Sequence, residues 1–313
     1  MAKRKSKAKS ARIYFTQVVS TPSGKAFLAG HMQDQGSEPT FTRFVRADDS
    51  GFVHLGDLGA VACAATAIPI EGAPAPGIAV IGRQGPLRIY APGKPPTDVD
   101  VPLRDRTADF LGLCASSDGL LVCGDQRQVL RYADDRWSPI DEGLFEAFDG
   151  ANPSTLHAIA EVAGGMLVVV GSKGFAARRG SDGAWQRIDV GVAVDLRCVI
   201  APGDGSAWIG GDDGTLLRLD VERGVVTERA EKTTSRSFES LALRERTLFV
   251  AASEALWARS EGGRLEKVEG PFLEGSEFHA VSAAGPYLWA TGDEHAYRLG
   301  PDGWKHFLCP DNA

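Results

Sequence analysis

Four side chains of this sequence would make an acid–base site if the fold gathered them: His157, Arg197, Glu239 and His279, spaced about forty residues apart. Glu239 would move a proton or orient a ligand, with Arg197 and His279 flanking it. A second group shares only its charge. Asp125, Asp212, Asp213, Glu254, Asp293 and Glu294 fall in short polar turns, tempered by Arg127 and Lys173. Carboxylates from separate turns meeting on one face would form an acidic platform for a basic protein segment. Phe145 and Phe148, in the longer insert 141–153, would add aromatic hot spots beside it. Each pattern also has a plainer reading. A water-filled channel is lined with polar residues, and turns are polar because their backbone favours Asp, Asn, Ser and Gly.

No other motif carries chemistry. G-x-S-x-G, H-E-x-x-H, a Walker-type phosphate loop and C-x-x-C are all missing from the sequence. Six histidines are too scattered for a sequence-local metal site, so neither metal nor cofactor is expected. Five cysteines (Cys63, Cys114, Cys123, Cys198 and Cys309) are odd in number and lie mostly in apolar strand patterns, the usage of reduced, buried thiols. Cys114 and Cys123 flank one expected hairpin but would not face each other in register.

The elements that must position these residues repeat. Segments starting at Leu111, Leu156, Leu196, Phe238 and Phe278 each read as four short strands. The first has the form (Leu/Phe)-x-x-(Ile/Val/Leu). The second is apolar and ends in a small residue, the third carries an Arg, and the fourth often begins with Trp. The small residue serves as a ruler: Gly124, Gly171, Gly211, Ala252 and Gly292 stand about 40–47 residues apart. Gly30 and Gly82 fit as earlier copies. Seven units of this size predict a seven-bladed, all-β propeller of four-stranded antiparallel blades, because only radial stacking buries both faces of every small sheet. The first two copies match worst, at 31–40, 71–77 and 92–96, and leave six blades plus a decorated N-terminal segment as the alternative. The copies start on an inner strand and end on an outer one. Closure would then rest on packing of the first blade against the last, without an exchanged strand. Arg88, Arg131, Arg178, Arg218, Arg259 and Arg298 follow the ruler by six or seven residues, one per blade. They would therefore radiate around the ring and join blades instead of converging on a phosphate.

These copies resemble the BNR/YCF48-like and regulator-type propeller repeats, whose blades read G-x-(L/I)-W-x-G-x-x-G-x-L-x-R…W. The resemblance lies in SAWIGGDDGTLLR (206–218), GMLVVVGSKGFAAR (165–178) and YLWATGDEHAYR (287–298), and extends over the chain from about residue 110. It implies blades, not an activity. Turns at Asp134–Trp137, Ser181–Trp185 and Asp302–Trp304 look like eroded sialidase-type Asp-boxes, devices in which Trp packs between blades.

Charge narrows the partners. The chain carries −7 overall, but Lys3, Arg4, Lys5, Lys7, Lys9 and Arg12 crowd residues 1–12 without an acid, so the remainder is more acidic still. Residues 1–12 read as a disordered basic tail and 13–313 as one propeller domain. The acidic body disfavours nucleic acid and anionic membrane. No 18-residue apolar stretch exists, and residues 11–17 alternate instead of forming a leader's apolar core. The expectation is a cytoplasmic, bacterial, monomeric, non-enzymatic propeller that binds a protein partner as scaffold, assembly factor or toxin-neutralising immunity protein. The alternative is a lyase or glycan-acting hydrolase working through the axial quartet.

Overall fold

A computed structural model describes residues 12–33, 39–104, 108–148 and 154–310. Apart from Arg12, the basic segment expected at 1–12 lies outside the described residues. Seven antiparallel sheets, each built from four strands consecutive in sequence, span 12–58, 62–100, 110–139, 156–187, 196–229, 238–267 and 280–308. They are numbered blades 1 to 7. The six-bladed alternative falls because the two poorly matching copies are complete blades. Strand pairing in both is continuous on either side of their insertions.

Blade 4 shows why the second strands read as unbroken apolar runs. In Met166–Gly171, Val168 and Val170 enter the seam with blade 5, while Leu167 and Val169 enter the seam with blade 3. Successive side chains point to opposite faces, and each face meets another blade. The buried apolar residues sort into seven clusters, one for every seam between neighbouring blades.

Inner strand packs on inner strand around the ring, and Arg12–Ser20 packs on Ala280–Ala284 to close it. Among the described residues no strand is exchanged. Instead Ile13, Phe15, Leu28 and Val45 of blade 1 pack with Ala280, Trp289 and Ala296 of blade 7. The Phe15 N–H also donates to the Asp293 carbonyl at 2.8 Å.

Outer seams use the arginine row. Arg298, 5% exposed, donates to the Gly24 carbonyl (3.1 Å) and to Asp49 (2.6 Å) across the blade 7–1 seam. Arg259 reaches Glu228 of blade 5, Arg178 the Val221 carbonyl (2.8 Å), and Arg88 the Asp57 carbonyl (2.7 Å). The row radiates, as its spacing predicts, but Arg131 and Arg218 pair within their own blades, with Asp118 and Asp204. The Trp of one eroded Asp-box also joins blades: Trp185 donates to the Ile140 carbonyl at 2.6 Å.

No disulfide joins the cysteines of the described residues, and Leu121, not Cys123, opposes Cys114. Burial pushes the Cys63 and Cys114 thiols up to about 11 and those of Cys123 and Cys198 higher. A thiol near 11 is thiolate to only about one part in a thousand at pH 8. Mass spectrometry after brief iodoacetamide treatment at that pH is expected to find only trace labelling of the native protein and five labels after unfolding.

Candidate functional site

His157, Arg197 and Glu239 each sit at one local irregularity. Between Phe15 and Gln17, Ala62 and Ala64, Leu156 and Ala158, Leu196 and Cys198, and Phe238 and Ser240, the inner strand slips register against the second strand. In blade 3, Cys123 opposes Gly112 and Gly124 opposes Phe110, leaving Leu111 as the extra residue. Each is a β-bulge, which bends the strand and re-aims the extra side chain. The bend presses the carbonyl that precedes the inner strand onto the ruler glycine. A Cβ on Gly124, Gly171 or Gly292 would overlap the carbonyl oxygen of Asp109, Thr155 or Glu277. The next N–H donates to the same carbonyl: Asp125 to Asp109 (2.9 Å), Ser172 to Thr155 (2.9 Å), Asp212 to Asp195 (2.8 Å). The ruler is therefore small because backbone occupies its side-chain space. Three positions flank it in each blade: the residue before the inner strand, the bulged or equivalent residue, and the residue after the ruler.

All these groups lie on one face, which also carries the loops joining each outer strand to the next inner one. Thr16 meets His31 at 3.3 Å. His157 contacts Ser172 at 3.3 Å and stands 3.7 Å from Asp195. Burial lowers the affinity of the His157 imidazole for a proton, and Asp195 opposes this. Arg197 forks onto Asp212 and lies 4.0 Å from Glu239. Although burial raises the Asp212 carboxyl, hydrogen bonds from Arg197 and Ser237 hold it below the usual range. His279 stands 3.2 Å from Asp293 and 3.8 Å from Glu277. The expected quartet is thus only partly assembled. Arg197 and Glu239 meet, whereas His157 and His279 each engage a different carboxylate. Each side chain meets its own blade's turn or a residue of a neighbouring blade.

The six turn carboxylates divide in two. Asp125 accepts from the Thr155 hydroxyl (2.8 Å) and the Asp109 N–H (3.0 Å), and Asp212 from Ser237 (2.7 Å), so both are struts between blades. Asp293 belongs to the His279 group, and Glu294 pairs with Arg12 at 2.5 Å. Asp213, at φ 56°, and Glu254 are exposed, the latter near Thr234 and Arg236. Phe145 and Phe148 are 37% and 58% exposed, with the Arg104 guanidinium 4.5 Å over the Phe145 ring. Buried Asp141 holds their segment by accepting from Arg104 (2.7 Å) and the Val129 N–H (3.1 Å). Residues 149–153 of that insert lie outside the described residues.

One part of this face escaped the sequence reading. The loop between blades 6 and 7, residues 268–278, carries exposed Glu269, Glu274 and Glu277 and contains no Lys or Arg. Leu273 stands exposed at 48% between them, its N–H 3.3 Å from the Tyr297 hydroxyl. Phe272 wedges edge-on against Phe278, Tyr297 and Trp304, which anchors the loop. A run of acid without base was the available signal.

Neither a protein-family model nor a curated protein matches the chain. The blade-motif resemblance therefore remains one of repeats. Among solved structures, the extracellular domain of a hybrid two-component system from B. thetaiotaomicron matches with a TM-score of 0.64 at 13% identity over 91% of this chain. An extracellular domain of a one-component system from the same organism matches with a TM-score of 0.62 at 13% identity over 92%. The chain spans 37% and 38% of the length of those structures. These matches overturn the cytoplasmic expectation, since both are extracellular domains. That expectation rested on the alternation at 11–17 and on the lack of an 18-residue apolar stretch, and neither fixes a compartment.

Proposed function

We propose that this chain is a non-catalytic interaction propeller that takes up a Lys/Arg-rich segment of a partner protein on its loop face. Glu254, Glu269, Glu274 and Asp213 supply the charge, and Leu273 supplies an apolar anchor. The observation that carries this reading is the base-free loop 268–278, exposed beside the blade 6 turn that bears Glu254. Phe145 and Phe148 extend the surface three blades away. Since structures of this fold include extracellular domains of sensor systems, we place the encounter outside the cytoplasm, where it would serve assembly or ligand reception. The catalytic alternative needs its four side chains at one reacting position, and the two histidines engage separate carboxylates instead.

Fluorescence anisotropy with a labelled Lys/Arg-rich peptide tests the proposal. Binding is expected to weaken with salt, and the Glu269→Lys/Glu274→Lys double variant to lose about tenfold in affinity. Glu222→Lys, on the opposite face, is the control and should bind normally. Equal losses in both variants, or no binding by the unmodified protein, would refute the assignment.

A further inference from the structure

Blade 7 carries a set of groups that peptide capture does not use. Glu277 precedes the inner strand, His279 occupies the position of the bulged residue, and Asp293 follows the ruler glycine. One ligand atom from each lies within 4.8 Å of the other two, and among the described residues no other group of three or more His, Cys, Asp or Glu is drawn together in this way. The Nε2 of His279 is 3.2 Å from an Asp293 oxygen and 3.8 Å from a Glu277 oxygen. Ligand atoms held at about 2.0–2.2 Å by one tetrahedral ion stand about 3.3–3.6 Å apart, so small rotations of exposed carboxylates bring these three onto a common ion. Their side chains remain 29–49% exposed, open to solvent on the loop face.

Blade 5 shows what this arrangement requires. The equivalent positions there are Asp195, Arg197 and Asp212, two carboxylates with a guanidinium between them. Arg197 forks onto Asp212 and is attracted by Asp195, so a covalently attached cation fills the space. In blade 7 the two carboxylates persist while the fixed cation is replaced by an imidazole, whose Nε2 faces both and is an atom that can ligate a metal. The adjacent Glu294 is already paired with Arg12. We propose that Glu277, His279 and Asp293 form a divalent-cation site, in which a bound ion supplies the charge that Arg197 supplies in blade 5. One nitrogen and two carboxylate oxygens suit Zn2+ or Mn2+ and leave a further coordination position toward solvent.

The test is isothermal titration calorimetry of the full chain with Zn2+ and with Mn2+, alongside thermal unfolding. One equivalent is expected to bind at this site and to raise the unfolding temperature. His279→Ala and Asp293→Asn should each weaken binding by about tenfold or more. His279→Arg, which rebuilds the blade 5 arrangement, should abolish binding while unfolding no lower than the metal-free protein. His306→Ala is the control, because His306 and His295 are the neighbouring imidazole pair, 3.1 Å apart. It should bind normally. Absence of binding for both ions, binding undiminished in His279→Ala and Asp293→Asn, or loss confined to His306→Ala would each overturn the site. None of these outcomes depends on whether the face captures a basic peptide.

Discussion

Gly171→Ala is expected to destabilise the protein by about 3 kcal/mol, a large effect for one methyl group. The new Cβ would overlap the Thr155 carbonyl oxygen, which is backbone and is held by the Ser172 N–H at 2.9 Å. Relief requires opening the bulge, and with it the contact between His157 and Ser172. Blade 6 provides the internal control. Its ruler position is Ala252, fully buried and accommodated, so Ala252→Gly should cost only about 0.5–1 kcal/mol. Urea denaturation at unchanged slope measures both. A loss below about 0.5 kcal/mol for Gly171→Ala would mean that the bulge is not rigid.

Trp289→Ala is expected to cost about 3–5 kcal/mol. Trp289 is fully buried in the cluster that joins blade 7 to blade 1, and its indole N–H donates to the Gly24 carbonyl at 3.2 Å. Arg298 packs its guanidinium 5.7 Å from the same ring and donates to the same carbonyl. Among the described residues no exchanged strand backs up this seam, so its loss should also open the ring locally. Limited proteolysis is expected to cut first in blades 1 and 7. Arg131→Ala, by contrast, removes a group 3.6 Å from the exposed Asp118 and should stay within about 0.5 kcal/mol. Cleavage distributed evenly over the seven blades would show that closure does not depend on this seam.

The blades were legible because their causes are periodic. The ruler glycine answers a backbone clash that recurs in several blades, the alternating apolar run answers two buried faces, and four members of the arginine row answer outer seams. Residues at the axial end were legible as positions but not as partners. His157, Arg197, Glu239 and His279 do share one position in the repeat, yet the bulge at the first three redirects the side chain, and His279 precedes the first paired residue of its strand. Whether each meets Ser172, Asp212 or Asp293 depends on the second strand of its own blade, and on the residue that opens the neighbouring one. The metal-ligand set of blade 7 was hidden for the same reason: Glu277 and Asp293 come to His279 from opposite ends of a hairpin. Loop 268–278 does not repeat at all, so a search for repeats passes over it. Phe145 and Phe148 were found as an exception to the period, and their exposure followed from the insertion.

Hydrogen–deuterium exchange of the whole chain, with and without a Lys/Arg-rich peptide, addresses the binding face most directly. Slower exchange is expected in 268–278 and at the blade 5 and 6 turns around Asp213 and Glu254, with the turns at 221–224 and 261–264 on the opposite face unchanged. Protection confined to those opposite turns, or none at saturating peptide, would contradict the assignment of the loop face as the surface that receives a basic partner.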